Sequence, residues 1–281
     1  MPLTSITVWG LSFIATKMLL VYLSPLLIIN LRLIFVIPFL LVTGFLAKKS
    51  FSIQKRQAIW ILLLALISIV HLGIQVTGMQ FTTASNTGWI IGTAPIFIAI
   101  LSRFLLKEVL PSRAVFGILV SLFGLLLLIS KGNFSSLSFE GGMGDLLVLA
   151  SCLTWAVFTL VNRKISLDCP PVTSSFYMFA FMVIILLPFN LNIASLQAAV
   201  SLPATGWLAV GFLGIFSSGI GYVLWAKALS EAGSVNTSVY LYIEPFVTLF
   251  GAWYFLGEQI PLIAIAAGII IMLGVAMVNF A

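Results

Sequence analysis

The chain has 281 residues, of which 62% are hydrophobic and 7% charged, and its mean hydropathy is +1.23. A soluble domain carries about 25% charged residues, so a chain this apolar has no surface to offer water, and the bilayer is its solvent. The formal net charge of +6 is not a nucleic-acid signature, because no basic stripe with interleaved aromatics accompanies it.

In lipid every backbone polar group must be paired internally, which leaves helix bundles and closed barrels. Barrel strands alternate polar and apolar over about 10 residues. Here the apolar runs reach roughly 20 residues, enough to cross about 30 Å of hydrocarbon as a helix. The expected fold is all-α and integral to the membrane. Spans are predicted at 3–22, 26–47, 58–80, 84–106 and 112–130, then at 145–165, 172–191, 203–227, 234–256 and 262–280. Ser24-Pro25 breaks the first pair, and KKSFSIQKR makes a basic loop after the second span. The start, MPLTSITVWG, lacks a basic leader region, so the first apolar run is expected to be retained. Cys152 and Cys169 are unclustered and form neither a disulfide framework nor a metal site.

Ten spans place both termini on one side. With that side cytoplasmic, the inner loops and helix ends hold Lys48, Lys49, Lys55, Arg56, Arg103, Lys107, Arg113, Arg163, Lys164 and Lys227, ten of the thirteen basic residues. The outer loops hold only Lys131, and Lys17 and Arg32 fall within spans. Such asymmetry is the positive-inside pattern, and it sets the expected topology: ten helices, both termini cytoplasmic, in the inner (cytoplasmic) membrane.

The halves resemble each other. At an offset of 150, Asn86-Thr87 meets Asn236-Thr237, Pro95 meets Pro245, Glu108 meets Glu258, Pro111 meets Pro261 and Gly124 meets Gly274. At an offset of 146, Trp9 meets Trp155, Lys17 meets Arg163 and Pro25 meets Pro171. The organisation read from this is a first five-helix repeat over 1–130, a periplasmic linker over 131–144 and a second repeat over 145–281. Five is odd, so the second repeat enters from the opposite side, the inverted arrangement of many secondary transporters. The segments VWGLSFIATK, LSPLLIINLRLIF, TASNTGWIIGTAPIFIAIL with LLKEVLP, LTWAVFTLVNRKI and SVNTSVYLYIEPFVTLFGAWYFLGEQIP carry a resemblance to the EamA-type branch of the drug/metabolite transporter superfamily. The resemblance covers essentially the whole chain. It implies a ten-helix secondary carrier that exports amino acids, aromatic ones included, or other small metabolites from the cytoplasm.

Ionisable groups at mid-membrane depth are costly and mark function by default. Glu244, near the middle of the ninth span, is the sharpest candidate. On a continuous helix Asn236, Tyr240 and Glu244 share a face, opposite an apolar counterpart in the first half. His71, the only histidine, shares a face with Gln75. It is either a proton or carboxylate site or a hydrogen-bonded structural residue. Trp9 and Trp155 occupy equivalent positions and either line a cavity or pack helices. Asn86, Trp89 and Thr93 make a further face, and aromatic walls favour aromatic or cationic solutes. Lys17 and Arg32 lie toward the outer leaflet, where either could attract an anionic group, and snorkelling to the interface is the simpler account. Glu108 and Glu258 are read as capping the helix that follows each, and Pro95 and Pro245 as mid-helix kinks. Gly117, Gly124, Gly268 and Gly274 permit close helix approach.

An enzyme would need a nucleophile with a base, a metal cluster or a phosphate loop. The sequence has no Walker loop and no HExxH, and a filter loop of a channel is likewise missing from it. No cofactor or metal is expected. The expected partners are a small-molecule substrate and the lipid bilayer. Proton coupling through Glu244 or His71, the direction of transport and the oligomeric state stay open. Carriers of phosphorylated or sugar-nucleotide metabolites share the fold, but such solutes call for several cations within the spans.

Overall fold

The computed structural model describes residues 2–106, 112–130, 132, 139–190 and 192–279, and all regular structure among them is helical. In chain order the helices are α1 (Pro2–Leu19), α2 (Pro25–Leu46), α3 (Lys55–Phe81), α4 (Ala84–Ile91), α5 (Ala94–Leu106), α6 (Ser112–Ile129), α7 (Phe139–Asp168), α8 (Pro171–Leu186), α9 (Ile193–Val200), α10 (Ala204–Gly211), α11 (Tyr222–Ser238), α12 (Glu244–Leu256) and α13 (Leu262–Asn279). Among the described residues seven helical stretches are long and apolar enough to cross a membrane, and Val115–Leu128 and Leu262–Met277 are shorter apolar helices.

Local chemistry sets the helix starts. Ser24 caps α2 by accepting from the Leu27 amide at 3.4 Å, and Pro25, which has no amide to lose, takes the first turn. Thr83 caps α4 through the Asn86 amide at 3.0 Å. Pro95 and Pro245 are not kinks within running helices, as the sequence implied. Each is the second residue of a new helix, α5 or α12, after a break. The predicted span 84–106 breaks at Gly92–Thr93, where the chain leaves α4 and restarts as α5.

The predicted span 203–227 holds a stretch of wide π-type turns, Phe212–Gly221, between α10 and α11. Its sequence, FLGIFSSGIG, is poor in strong helix formers. The widened register turns carbonyls outward: Ser217 O accepts from Trp9 Nε1 at 3.0 Å and Gly221 O from Ser5 Oγ at 3.0 Å. The predicted span 234–256 also breaks. Val239–Ile243 tightens into 3-10 turns before α12, while Gly233, with φ +80°, bends the chain just ahead of that span, between the predicted eighth and ninth spans. The face expected of Asn236, Tyr240 and Glu244 therefore does not form, since a 3.6-residue repeat cannot persist through that break. Helix α9 was not expected at all. Of the expected linker, residues 131 and 133–138 lie outside the described residues, as does Glu108, and α7 already begins at Phe139.

Helix pairings run through the bundle. α1 lies on α12 and α7 on α5, α2 pairs with α8, and α6 pairs with α13. Lipid tails are as apolar as leucine, so burial alone does not drive helices together in a bilayer. Polar cross-ties and close backbone approach take that role. Ser121 Oγ donates to Ile271 O at 2.9 Å across α6–α13, and a Cβ on Gly274 would come within 2.5 Å of Gly117 O. Asn30 Nδ2 donates to Leu186 O at 3.2 Å across α2–α8.

The densest tie surrounds the α3–α4 turn, at the end of the bundle where α1 finishes. Lys17 Nζ donates to Met79 O and Thr82 O, both at 2.6 Å. Glu258 accepts from the Ala84 amide at 2.9 Å, the Ser85 amide at 3.0 Å and Ser85 Oγ at 2.6 Å. Thr82 Oγ1 donates to Asp145 of α7. Thus a cation sits at the carboxyl end of α3 and an anion at the amino end of α4, as the helix dipoles favour. Glu258 does cap a helix, but it is α4, distant in sequence, rather than the helix that follows it. Lys17 is anchored on backbone carbonyls rather than snorkelling.

Candidate functional site

A cavity opens at the centre of the bundle, between α1, α2, α3, α7, the π-type segment and the start of α12. It holds about 430 Å³ of space between atoms, its mouth included, yet only about 40 Å³ admits the centre of a water-sized sphere. The second figure marks a narrowed chamber, whose walls must part to admit a metabolite.

Aromatic rings form the floor. Trp9 and Trp155, equivalent residues of the two halves, meet edge-to-face at 5.0 Å. Tyr222 stands edge-on to both, at 5.5 Å from Trp9 and 6.1 Å from Trp155, and Trp225 backs them at 5.3 and 5.7 Å. Phe158 stacks on Trp155 at 4.9 Å. Trp9 is fixed by its bond to Ser217 O, whereas the buried Trp155 Nε1 has no hydrogen-bond partner.

His71 and Gln75 reach the cavity from α3. His71 Nδ1 lies 3.0 Å from Ser151 O and 3.2 Å from Thr154 Oγ1. A carbonyl only accepts, so Nδ1 carries the proton and Nε2 is the acceptor of the neutral ring. His71 also stands 5.2 Å from the Trp155 ring.

Glu244 enters from the first turn of α12 and is 2% exposed, with Oε2 lacking any hydrogen-bond partner. Arg32 enters from α2, 5% exposed, with Nε donating to Ser218 Oγ at 2.7 Å and one Nη donating to Ser217 Oγ at 3.0 Å. Snorkelling does not describe it: the guanidinium is turned into the bundle and pinned by two hydroxyls. Ser217 and Tyr222 escaped the sequence reading, and Arg32 entered it chiefly as a snorkelling charge. The signal for Arg32 was its depth, seven residues past Pro25, or about 10 Å of helical rise. The signal for its partners was the serine pair within a glycine-rich apolar run.

Of the nine candidates read from the sequence, Trp9, His71, Gln75, Trp155 and Glu244 line this cavity. The other four lie elsewhere. Asn86 bonds Asp145 Oδ2 at 3.4 Å. Trp89 is buried beside Phe246, at 5.8 Å, and over Gly268. Asn236 donates to Ala232 O across the Gly233 kink at 3.2 Å, and Tyr240 is 41% exposed. Among the described residues no group of three or more His, Cys, Asp or Glu is placed to hold a metal.

Comparison with known proteins gives a consistent picture. The profile of the EamA-like transporter family matches residues 1–130 and 142–280. An uncharacterized transporter of Archaeoglobus fulgidus is 31% identical over 269 residues, covering 95% of this chain and 92% of that protein. An uncharacterized transporter of Bacillus subtilis, YoaV, is 28% identical, covering 97% and 93%. A probable amino-acid metabolite efflux pump of Salmonella typhimurium is 27% identical, covering 98% and 92%. A crystal structure aligns with a TM-score of 0.66 at 18% identity, over 98% of this chain and 97% of that one, and shares the fold.

Proposed function

This chain belongs to the EamA-like transporter family and is a multi-pass membrane protein, and on that premise we propose that it is a secondary carrier, not an enzyme. Its proposed cargo is amino acids, aromatic ones among them, or similarly small amphipathic metabolites, and its proposed direction is export across the cytoplasmic membrane. The proposed topology is ten spans in two inverted five-helix repeats, with both termini cytoplasmic. The observation that carries the reading is the central cavity, where equivalent tryptophans of the two halves touch and two buried polar atoms have no partner. A site shared by two inverted halves opens alternately to each side as one half rocks against the other. The narrowed chamber fits a carrier caught between openings. The efflux pump of Salmonella typhimurium lends its name to the cargo class.

Phosphorylated or sugar-nucleotide cargo is the second reading. A doubly charged phosphate needs several cations around it, and among the described residues lining the cavity only Arg32 carries a fixed positive charge. Transport into proteoliposomes against a panel of radiolabelled amino acids, with and without a pH gradient, tests the proposal. Saturable flux of one class is the expected result. Gradient dependence of that flux would assign coupling to protons, with Glu244 and His71 as the titratable groups at hand. Silence across the amino acids with flux of sugar phosphates would move the assignment to the second reading.

A further inference from the structure

Two ionisable side chains, Arg32 and Glu244, line one cavity, and among the described residues no ion pair joins them. Arg32 is held by two uncharged hydroxyls, and among the described residues no carboxylate lies within 4.0 Å of it. A guanidinium keeps its charge in any protein environment, and a charge taken out of water is costly until an opposite charge meets it. Glu244, on the same cavity, has Oε2 buried with no partner. Tyr222 lines the same cavity as both. Trp155 adds an unpartnered N–H donor. The chamber thus offers a cation, a spare indole donor and a carboxyl acceptor among aromatic rings.

A solute with one charge answers only half of this. An anion would satisfy Arg32 and leave Glu244 facing an uncharged group, and a cation would do the reverse. A free amino acid answers both, because its carboxylate and ammonium sit on one carbon.

We propose that Arg32 and Trp155 hold the carboxylate of the transported solute and Glu244 its ammonium, so that the cavity selects free α-amino acids over their amides and N-acyl derivatives. This rests on the carrier reading above. The rings then hold the side chain, and an ammonium over an indole face gains a further cation–π contribution.

Competition in proteoliposomes tests the proposal. The amino acid giving the largest flux serves as the labelled probe, and its unlabelled parent, amide and N-acetyl forms serve as competitors. In the wild-type chain the amide and the N-acetyl form should each compete at least about tenfold more weakly than the parent. Arg32→Gln should narrow the gap between parent and amide and keep the gap to the N-acetyl form. Glu244→Gln should do the opposite. General damage to the fold cannot produce that crossover. Should Arg32→Gln fail to fold, Arg32→Lys keeps the charge without the fork and should retain the discrimination while weakening the parent. Equal competition by all three forms, with flux intact, overturns the two-pole assignment alone. Uniform loss in both variants with unchanged discrimination overturns it as well. No saturable amino-acid flux from a folded chain would reject the amino-acid cargo proposed above and this assignment together.

Discussion

His71 shows how one side chain ties architecture to chemistry. Its Nδ1–H bridges α3 to Ser151 O on α7, while Nε2 is left for the cavity. An asparagine amide can reproduce the first contact but not the second. His71→Ala should lower the melting temperature, through a lost bond and a cavity worth about 1–3 kcal/mol, and impair transport. His71→Asn should recover most of the stability and not the transport. Full activity in His71→Asn would make the residue structural. Gly221 gives a purely steric prediction. A Cβ there would lie 2.6 Å from Trp9 Nε1, so Gly221→Ala should displace the indole from Ser217 O and cost about 1–3 kcal/mol by overpacking, read as a lower melting temperature in detergent. At this scale the sequence was readable where a residue's rarity in lipid singled it out, as for Glu244 and His71. It misled at Arg32, because a charge in a span is equally consistent with snorkelling until the hydroxyls that hold it are placed. It misled at Asn236 and Tyr240 because a shared face presupposes an unbroken helix.

The elements carry their information at the breaks. Gly92–Thr93 and the 3-10 stretch Val239–Ile243 interrupt corresponding segments at an offset of 150, and each restarts on a proline in the first turn of the next helix. Hydropathy reads both as single spans, because a broken helix in lipid is as apolar as a whole one. The turn between α3 and α4 is held by charges instead: Lys17 on its carbonyls, Glu258 on its amides. Lys17→Met and Glu258→Gln should each cost about 1–2 kcal/mol. The double variant should cost less than the sum, because the two side chains secure the same turn. Lys227→Met is the control, since its ion pair with Glu231 at 3.9 Å is half exposed and such pairs contribute about 0–1 kcal/mol. Thermal melts of the four variants in one detergent decide it. Strictly additive losses would mean that the two charges act on separate structures.

At the scale of the molecule, orientation and repeat stand or fall together. Ten of thirteen basic residues collect on one side only if every predicted span crosses, and the positive-inside pattern then makes that side cytoplasmic. In the bundle α1 packs on α12 and α7 on α5, and a helical membrane bundle could be foreseen from charge and periodicity while the cavity's exact lining could not. Two loop positions read the arrangement directly. Ser50 follows the second predicted span and Gln259 the ninth, and both side chains are exposed. With an odd number of crossings between them, they must face opposite compartments. In a background where the buried Cys152 and Cys169 are replaced by alanine, a membrane-impermeant maleimide applied to intact cells should label Gln259→Cys. It should reach Ser50→Cys only after permeabilisation. The opposite pattern would invert the molecule, turning the proposed exporter's inner face outward while leaving the repeats intact. Labelling of both positions from one side would remove a crossing, and with it the inverted relation that places Trp9 against Trp155 at the centre of the carrier.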